Sequence, residues 1–268
     1  MSKPVVGMIG VGAMGAPMAR RILGGGFEVV GYDINPKALE ELKGGAAKSS
    51  AEVAKRADIL LIVLVDDPQV REASKEIFAN AKRGSVIAVM SSVTPDLCIE
   101  LAKEATAKGL QVIDAAMVRG LQAAKDGKLL LMIGGESAAV ERCMPVFRCI
   151  AADTSHLGTV GAGQVGKMVN NMLLWSAVLA NYEGIEFARK FGVDLGLLRE
   201  SLKISSGNNW ALGVWETIAA QPKWWDQKDL GVMLETAAQH RIEMPLTEEL
   251  KRLMVPLRPE VAQKLFRK

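Results

Sequence analysis

Short apolar runs alternate with longer stretches of helical character from Val5 to about Leu157. Val5-Val-Gly-Met-Ile9 reads as a short buried strand, and Met14 to Leu23 as a helix that stops at Gly24-Gly-Gly26. A second strand, Glu28 to Tyr32, delivers Asp33. Ser49-x-x-Glu52 has the spacing of a capping box, in which two side chains satisfy the first backbone N–H groups of a helix. That places a short helix before a strand from Ile59 to Val65. Helix Pro68 to Ala81, strand Ser85 to Met90, helix Pro95 to Lys108 and strand Val112 to Asp114 follow, and Leu129 to Ile133 and Thr154 to Leu157 read as two more strands. Such alternation predicts an α/β fold: a parallel sheet with helices on both faces. Ligands of such sheets sit beyond the carboxyl ends of the strands, which directs attention to Val65-Asp66-Asp67, Ser91-Ser92 and the residues from Asp114 onward.

The pattern changes near Gly163. From there to Phe191 it stays helical, with Gly192 as its stop, which at 1.5 Å per residue is roughly 40 Å of helix. Its near-continuous apolar character through Leu179 implies cover on most sides, as for an element that joins two domains or packs against a second subunit. The remainder reads as helical, with loops at Ser205-Ser-Gly-Asn-Asn209 and Gln221-Pro222. All five tryptophans (Trp175, Trp210, Trp215, Trp224, Trp225) lie in this half, where core or subunit packing accounts for them better than a pocket for a bulky substrate. The expected organisation is a sheet domain over residues 1–162, an interdomain helix over 163–191, and a helical domain for substrate and oligomerisation over 192–268.

Gly10-Val-Gly-Ala-Met-Gly15 follows the first strand at once. Strand, G-x-G-x-x-G, helix, strand and acid, in that order, form the full fingerprint of a Rossmann-type, doubly wound dinucleotide-binding fold. The glycines permit a tight turn and let backbone N–H groups approach a pyrophosphate at the helix N-terminus. Gly10, Gly12, Ala13, Met14 and Gly15 are therefore the expected cofactor contacts, with Val65 at a strand end. The carboxylate of Asp33 can accept hydrogen bonds from the adenosine ribose hydroxyls, each worth roughly 1.5–3 kcal/mol. A 2′-phosphate there would meet like charge, softened by Lys37, so NAD is expected over NADP.

Composition narrows the alternatives. At 49% hydrophobic and 24% charged residues, the 268-residue chain is that of an ordinary globular protein with enough length for two cores. A net charge of +3 from scattered basic residues is too mild to argue for nucleic acid. Cys98, Cys143 and Cys149 form neither an even disulfide set nor a metal spacing, and His156 and His240 are far apart, so no metal site is expected. The longest apolar stretch, Met172 to Leu179, falls well short of the ~18 residues needed to span a bilayer, and nothing in the first residues has the charged-then-apolar form of a signal segment. The expectation is a cytoplasmic protein that binds neither nucleic acid nor membrane.

Gly161-Ala-Gly-Gln-Val-Gly-Lys-Met-Val-Asn-Asn171 carries the candidate chemistry. Residues four apart on a helix share a face, so Lys167 and Asn171 point together. One offers a titratable ammonium, the other an amide that donates and accepts. The neighbours are apolar, and lysine responds to burial by shedding its proton more readily, which suits proton transfer.

These residues resemble the β-hydroxyacid dehydrogenase family, typified by 3-hydroxyisobutyrate dehydrogenase, over nearly the whole chain to about Leu257. Gly10-Val-Gly-Ala-Met-Gly-Ala-Pro-Met-Ala19 is similar to the family's cofactor signature, and Gly163-Gln-Val-Gly-Lys-Met-Val-Asn-Asn171 to its catalytic helix. The resemblance implies Lys167 as catalytic acid/base and Asn171 as the residue that orients substrate. Ser206-Gly-Asn-Asn-Trp210 and Lys228-Asp-Leu230 recur in the family's order, nominating Lys228 and Asp229 at the border of the site, with Lys228 toward cofactor as well as substrate. Ser91-Ser92 resembles the family's Ser-Thr, putting Ser92 near the nicotinamide. The implied reaction moves hydride between the nicotinamide and the carbon of a small 3-hydroxy acid or its aldehyde or keto partner. The implied assembly is a homodimer or homotetramer through the helical domain. One segment departs from the family. Its Asp-Ala-Pro-Val-Ser-Gly-Gly is here Asp114-Ala-Ala-Met-Val-Arg-Gly120, so Val118 stands for the substrate-binding serine and Arg119 for a glycine, ahead of Gly120. Arginine grips anions through two parallel hydrogen bonds, which makes Arg119 the expected reader of the substrate's anionic group. A second departure is the tail, which ends after Pro256-Leu-Arg-Pro259 in a short basic helix. The alternatives are an imine reductase, against which Lys167 argues, and a nucleotide-binding family member without turnover.

Overall fold

The computed structural model describes residues 3–42, 45–220 and 224–265; the loop expected at Gln221-Pro222 lies outside them. The chain divides into two compact units, Met1–Lys167 and Met168–Lys268.

The first unit is built on β1 (Val6–Ile9), β2 (Val29–Tyr32), β3 (Ile59–Ile62), β4 (Val86–Val89), β5 (Gln111–Val118), β6 (Leu129–Gly134) and β7 (Ala151–Gly158). They form one sheet in the order β2-β1-β3-β4-β5-β6-β7. Its helices are α1 (Gly15–Gly24), α2 (Ser50–Arg56), α3 (Asp67–Asn80), α4 (Pro95–Thr106), α5 (Gly120–Asp126) and α6 (Ser137–Ile150), with a 3-10 segment at Pro36–Leu42 that the sequence pattern did not foretell. Alternate residues of the central strands enter opposite cores. Val6, Met8, Ile59 and Leu61 join the cluster with α1 and α6, while Ile9, Leu60 and Ile62 join the one with α2, α3 and α4. Cover on both faces is why these strands read as unbroken apolar runs. The capping expected at Ser49 is present: its Oγ accepts the N–H of Glu52 at 3.2 Å. The glutamate carboxylate closes on the N–H of Lys48, at 2.9 Å, rather than that of Ser49.

The sheet is not wholly parallel as expected, because β6 runs antiparallel to β5. Pairing of β4 with β5 ends at Asp114, yet β5 continues through the apolar Ala115-Ala-Met-Val118. The connection to β6 covers residues 119–128, shorter than the crossover of a dozen or more residues that a parallel return needs. With α5 stopped by Gly127 at φ +69, the chain turns back along the extension of β5 instead.

α7 runs from Ala162 to Lys190 and crosses the division between the units. It ends as the sequence predicts: Gly192 takes φ +68, and the N–H groups of Gly192 and Val193 return to Arg189 (3.1 Å) and Ala188 (3.2 Å). Within the stretch expected to be covered, Val165, Val169 and Leu173 are exposed on the single chain. The second unit continues with α8 (Leu195–Lys203), α9 (Trp210–Gly213), α10 (Trp215–Ala219), α11 (Asp226–Gln239), α12 (Pro245–Met254) and α13 (Pro259–Ala262). Its core gathers Trp175, Val178, Ile185, Trp215, Trp224, Leu230, Leu250 and Met254. Three tryptophans are thus core residues as expected, while Trp210 and Trp225 are exposed. Among the described residues no helix is long and apolar enough to cross a membrane.

Candidate functional site

In the first unit the chain leaves β1 through the glycine turn, and the three glycines have different tasks. Gly10 sits at φ +93, where a Cβ would lie 2.1 Å from the carbonyl oxygen of Val63. At Gly15 a Cβ would lie 2.2 Å from the oxygen of Gly10. The fold itself demands these two. A Cβ on Gly12 would meet no protein atom within 4 Å, so that position faces open space above the turn. Among the described residues no side chain caps α1 and no acid occupies its first turn, which leaves the positive end of the helix, beside Ala13 and Met14, to an external anion. Asp33, just past β2, binds the turn: its Oδ2 accepts the N–H of Val11 at 2.7 Å and its Oδ1 that of Asn35 at 2.8 Å. Each carboxylate oxygen retains a second lone pair for a ribose hydroxyl. The residues present therefore fit a dinucleotide: a turn with room over Gly12, an unopposed helix N-terminus, and an acid at the adjoining strand end. β1 and β3 adjoin in the sheet while their connections run to opposite sides, the switch point at which such folds bind nucleotides.

Val65, half exposed, and Ser92, partly buried, follow β3 and β4 at the same carboxyl edge. A buried polar network joins this edge to α7. The Ser91 hydroxyl accepts the N–H of Leu64 (2.7 Å) and donates to the Ile62 carbonyl (3.3 Å). Gln164 donates its amide N–H to the Ser91 carbonyl (2.8 Å) and accepts the N–H of Val93 (3.3 Å). Asp114, fully buried at the last position where β5 pairs with β4, accepts the N–H of Gly161 on Oδ1 (2.6 Å) and of Gln164 on Oδ2 (2.8 Å). Burial pushes its carboxyl from the ordinary 3.8 up to about 6, against the backbone N–H groups of Gly161, Gln164 and Gly163, which pull downward. Asp114 is thus the N-terminal anchor of the helix that carries Lys167, and Gln164 its tie to the loop holding Ser92. Asp114 was marked by the sequence only as a strand end, and Gln164 not at all; a glutamine on an apolar helix, three residues before the lysine, was the available signal.

The changed segment ends at Val118, which is buried, and Arg119, which takes the left-handed conformation at φ +81. The Arg119 guanidinium donates to the Asp153 carboxylate (2.6 Å) and to the Lys128 carbonyl (3.3 Å). The structure therefore gives this arginine an internal carboxylate partner that the sequence did not suggest. Gly120, at φ +75, opens α5 with open space where a Cβ would be. Gly163 and Gly166 bring α7 close over β6: their Cβ positions would fall 2.3 Å from the Met132 oxygen and 3.1 Å from its sulfur. Met132 pairs with Ala116, three residues and roughly 10 Å of strand before Arg119. The buried thiols of Cys98 and Cys143 are pushed up by that burial, Cys143 to about 12, and present no thiolate.

In the second unit Asn171 is buried, and its Oδ1 accepts the side-chain N–H of Asn170 at 3.1 Å. One turn on, the Trp175 indole N–H donates to Oδ2 of Asp229 at 3.1 Å, which fixes the Lys228-Asp229 pair of α11 against α7. Asn209 of the Ser206-Gly-Asn-Asn-Trp210 segment caps α9 and exchanges two amide hydrogen bonds with Asn181, at 2.9 and 3.0 Å. Within this unit the structure joins Trp175 of α7 to Asp229 of α11, the neighbour of Lys228. Lys167 closes the first unit.

Residues 5–172 match the family model described as the NAD binding domain of 6-phosphogluconate dehydrogenase. Residues 161–264 match the one described as NAD-binding of NADP-dependent 3-hydroxyisobutyrate dehydrogenase. The chain is 33% identical over 216 residues to the mitochondrial 3-hydroxyisobutyrate dehydrogenase of Mus musculus, covering 78% of this chain and 64% of that one. It therefore spans less than two thirds of the length of such relatives. To the 2-(hydroxymethyl)glutarate dehydrogenase of Eubacterium barkeri it is 31% identical over 256 residues, 90% of this chain and 85% of the other. Among solved structures, the Mycobacterium tuberculosis 3-hydroxyisobutyrate dehydrogenase with L-serine superposes with a TM-score of 0.87 at 25% identity, covering 94% and 92% of the two chains.

Proposed function

The chain belongs to the β-hydroxyacid dehydrogenase family, and from that premise we propose that it is an oxidoreductase using NAD to interconvert a small 3-hydroxy acid and its aldehyde or keto partner. The observation that carries the reading is the anchoring of the Lys167 helix, by Asp114 and Gln164, to the carboxyl edge of the sheet where the glycine turn also lies. Bound NAD supplies the hydride acceptor, and its reduced form the donor. Gly12, Ala13, Met14 and Gly15 hold the diphosphate with turn N–H groups, Gly10 shapes the turn with its own N–H bonded to the Tyr32 carbonyl, and Asp33 takes the ribose hydroxyls, which favours NAD over NADP. Val65, Ser92 and Lys228 border the nicotinamide half. Lys167 accepts the hydroxyl proton in the oxidative direction and returns it to the carbonyl oxygen in the reductive one. Asn171 orients that oxygen, with Lys228 and Asp229 closing the site.

Arg119 and Gly120 are assigned to the substrate's anionic group, with Val118 beside them. The Asp153 partner does not preclude this, because an ion pair whose side chains are 38% and 56% exposed is worth only about 0–1 kcal/mol and is readily exchanged for a substrate carboxylate. Exposed Leu173, Phe187, Phe191 and Leu197 support self-association through α7 and α8 as a homodimer or homotetramer.

The test is reduction of NAD and NADP against a panel of 3-hydroxy acids, with Lys167→Ala as control. The expected result is NAD-preferring turnover that falls ~10²- to 10⁴-fold in the variant while NAD binding persists. Arg119→Ala should raise KM for the acid that is turned over. Amine-dependent consumption of reduced cofactor would assign the protein to imine reduction instead. NAD binding without turnover on any member of the panel would make it a binding protein.

A further inference from the structure

Gln164 lies on the first turn of α7 with only 1% of its surface exposed, and both ends of its amide are committed. Its nitrogen donates to the carbonyl of Ser91 at 2.8 Å and its oxygen accepts the N–H of Val93 at 3.3 Å. Those two backbone groups flank Ser92, so a single side chain brackets the residue assigned to the nicotinamide end. The two bonds have opposite polarity, which admits one orientation of the amide and one position of the loop. The same residue's backbone N–H is held by Asp114 at 2.8 Å, and Ser91 is bonded in turn to Ile62 and Leu64. An unbroken chain of hydrogen bonds therefore runs from β3 through the loop after β4 into α7 and on to β5. Lys167 follows Gln164 by three residues, about one turn and ~4.5 Å of rise.

A leucine or methionine would fill similar space but would take this partner from the buried Ser91 carbonyl and Val93 N–H, so the amide serves stability as well as geometry. What the amide adds is a fixed register between loop and helix. We infer that Gln164 is a positioning residue: it sets the placement of Lys167 relative to Ser92, and hence of the proton-transferring amine relative to the nicotinamide. The inference rests on the dehydrogenase reading above for its catalytic consequence, but not for the mechanical link. Misplacing a reacting group by about 1 Å can cost ~100-fold in rate.

The experiment compares the parent protein with Gln164→Leu and Gln164→Glu. Thermal midpoint, NADH affinity by fluorescence titration, kcat, KM and the primary deuterium isotope effect are measured, together with hydrogen exchange of peptides covering 91–94 and 159–167 with and without NADH. Gln164→Leu should fold and bind NADH within about threefold of the parent, yet lose roughly 10- to 100-fold in kcat with KM little changed and a larger isotope effect. NADH should slow exchange in both peptides of the parent but only in 91–94 of the leucine variant. Gln164→Glu should regain kcat as pH falls, because a protonated carboxyl can donate to Ser91 and accept from Val93 as the amide does. The inference is overturned by a leucine variant whose kcat stays within about twofold of the parent, whose kcat loss is matched by lost NADH affinity and thermal midpoint, or whose 159–167 protection survives. If the parent turns over no hydroxy acid, or Lys167→Ala turns over as fast as the parent, the dehydrogenase reading fails; the exchange comparison then decides the loop–helix link by itself.

Discussion

Replacing Asp114 by asparagine tests the anchor of α7 through its titration. The side chain is fully buried and accepts the N–H groups of Gly161 and Gln164. Two effects compete: desolvation penalises the carboxylate, and the backbone donors favour it. Desolvation wins, so the folded carboxyl titrates at about 6 instead of 3.8. The folded chain then binds this proton more tightly than the unfolded chain. The resulting contribution to stability is complete below about pH 3.8 and is lost as pH rises through about 6, a difference of about 3 kcal/mol. Asparagine has no such titration, and its nitrogen cannot accept either N–H, so the variant is the less stable protein in acid. The gap between parent and variant should therefore narrow by about 3 kcal/mol between roughly pH 4 and pH 7. Urea unfolding across that range reads it directly. Carboxyls displaced the other way, such as Glu216, held low by the Arg199 guanidinium, titrate alike in both proteins and cancel. A gap that stays constant, or widens with pH, would refute the reasoning by showing that the backbone donors outweigh desolvation.

The glycine turn separates fold from binding. Gly10→Ala places a methyl 2.1 Å from a backbone oxygen at φ +93 and should abolish or severely reduce folded protein, measured as soluble yield and thermal midpoint. Gly12→Ala meets nothing in the protein, so its stability should stay within about 1 kcal/mol while NAD affinity, by titration calorimetry, drops at least tenfold. Trp175→Phe keeps most of the buried ring but removes the N–H donated to Asp229; unfolding should show a loss of about 1–3 kcal/mol, and KM should rise as the Lys228-Asp229 pair loses its tether.

Much of the fold was legible because it rests on local rules. The central strands are short apolar runs covered on both faces, the α1 turn is a glycine pattern with an acid one strand later, and α7 ends where Gly192 can turn left-handed. Ser49 caps α2 for the same local reason. Spacing on one helix put Lys167 and Asn171 on a shared face, and the resemblance of the surrounding motif gave them their expected roles. The reversed β6 was not legible, because it depends on how far β5 extends past its last pairing with β4. Nor was the 3-10 segment after β2, whose Pro36-Lys37 start has no distinctive period.

The amino-acid order alone settled what most segments of the first unit would become, though not the 3-10 segment or helices α5 and α6, since strand, helix and glycine turn are decided largely by neighbours a few residues away. It settled the family for the same reason, through contiguous motifs. The contacts that give those motifs chemical meaning join residues far apart in the chain. Gln164 meets Ser91 and Val93, Asp114 meets Gly161, Arg119 meets Asp153, and Trp175 meets Asp229. A hydrogen bond needs its partners within about 3 Å, and no periodicity encodes such a meeting. Only the packing within each unit brings those groups into reach, and in the first unit it leaves a carboxylate buried deeply enough to hold its proton near pH 6.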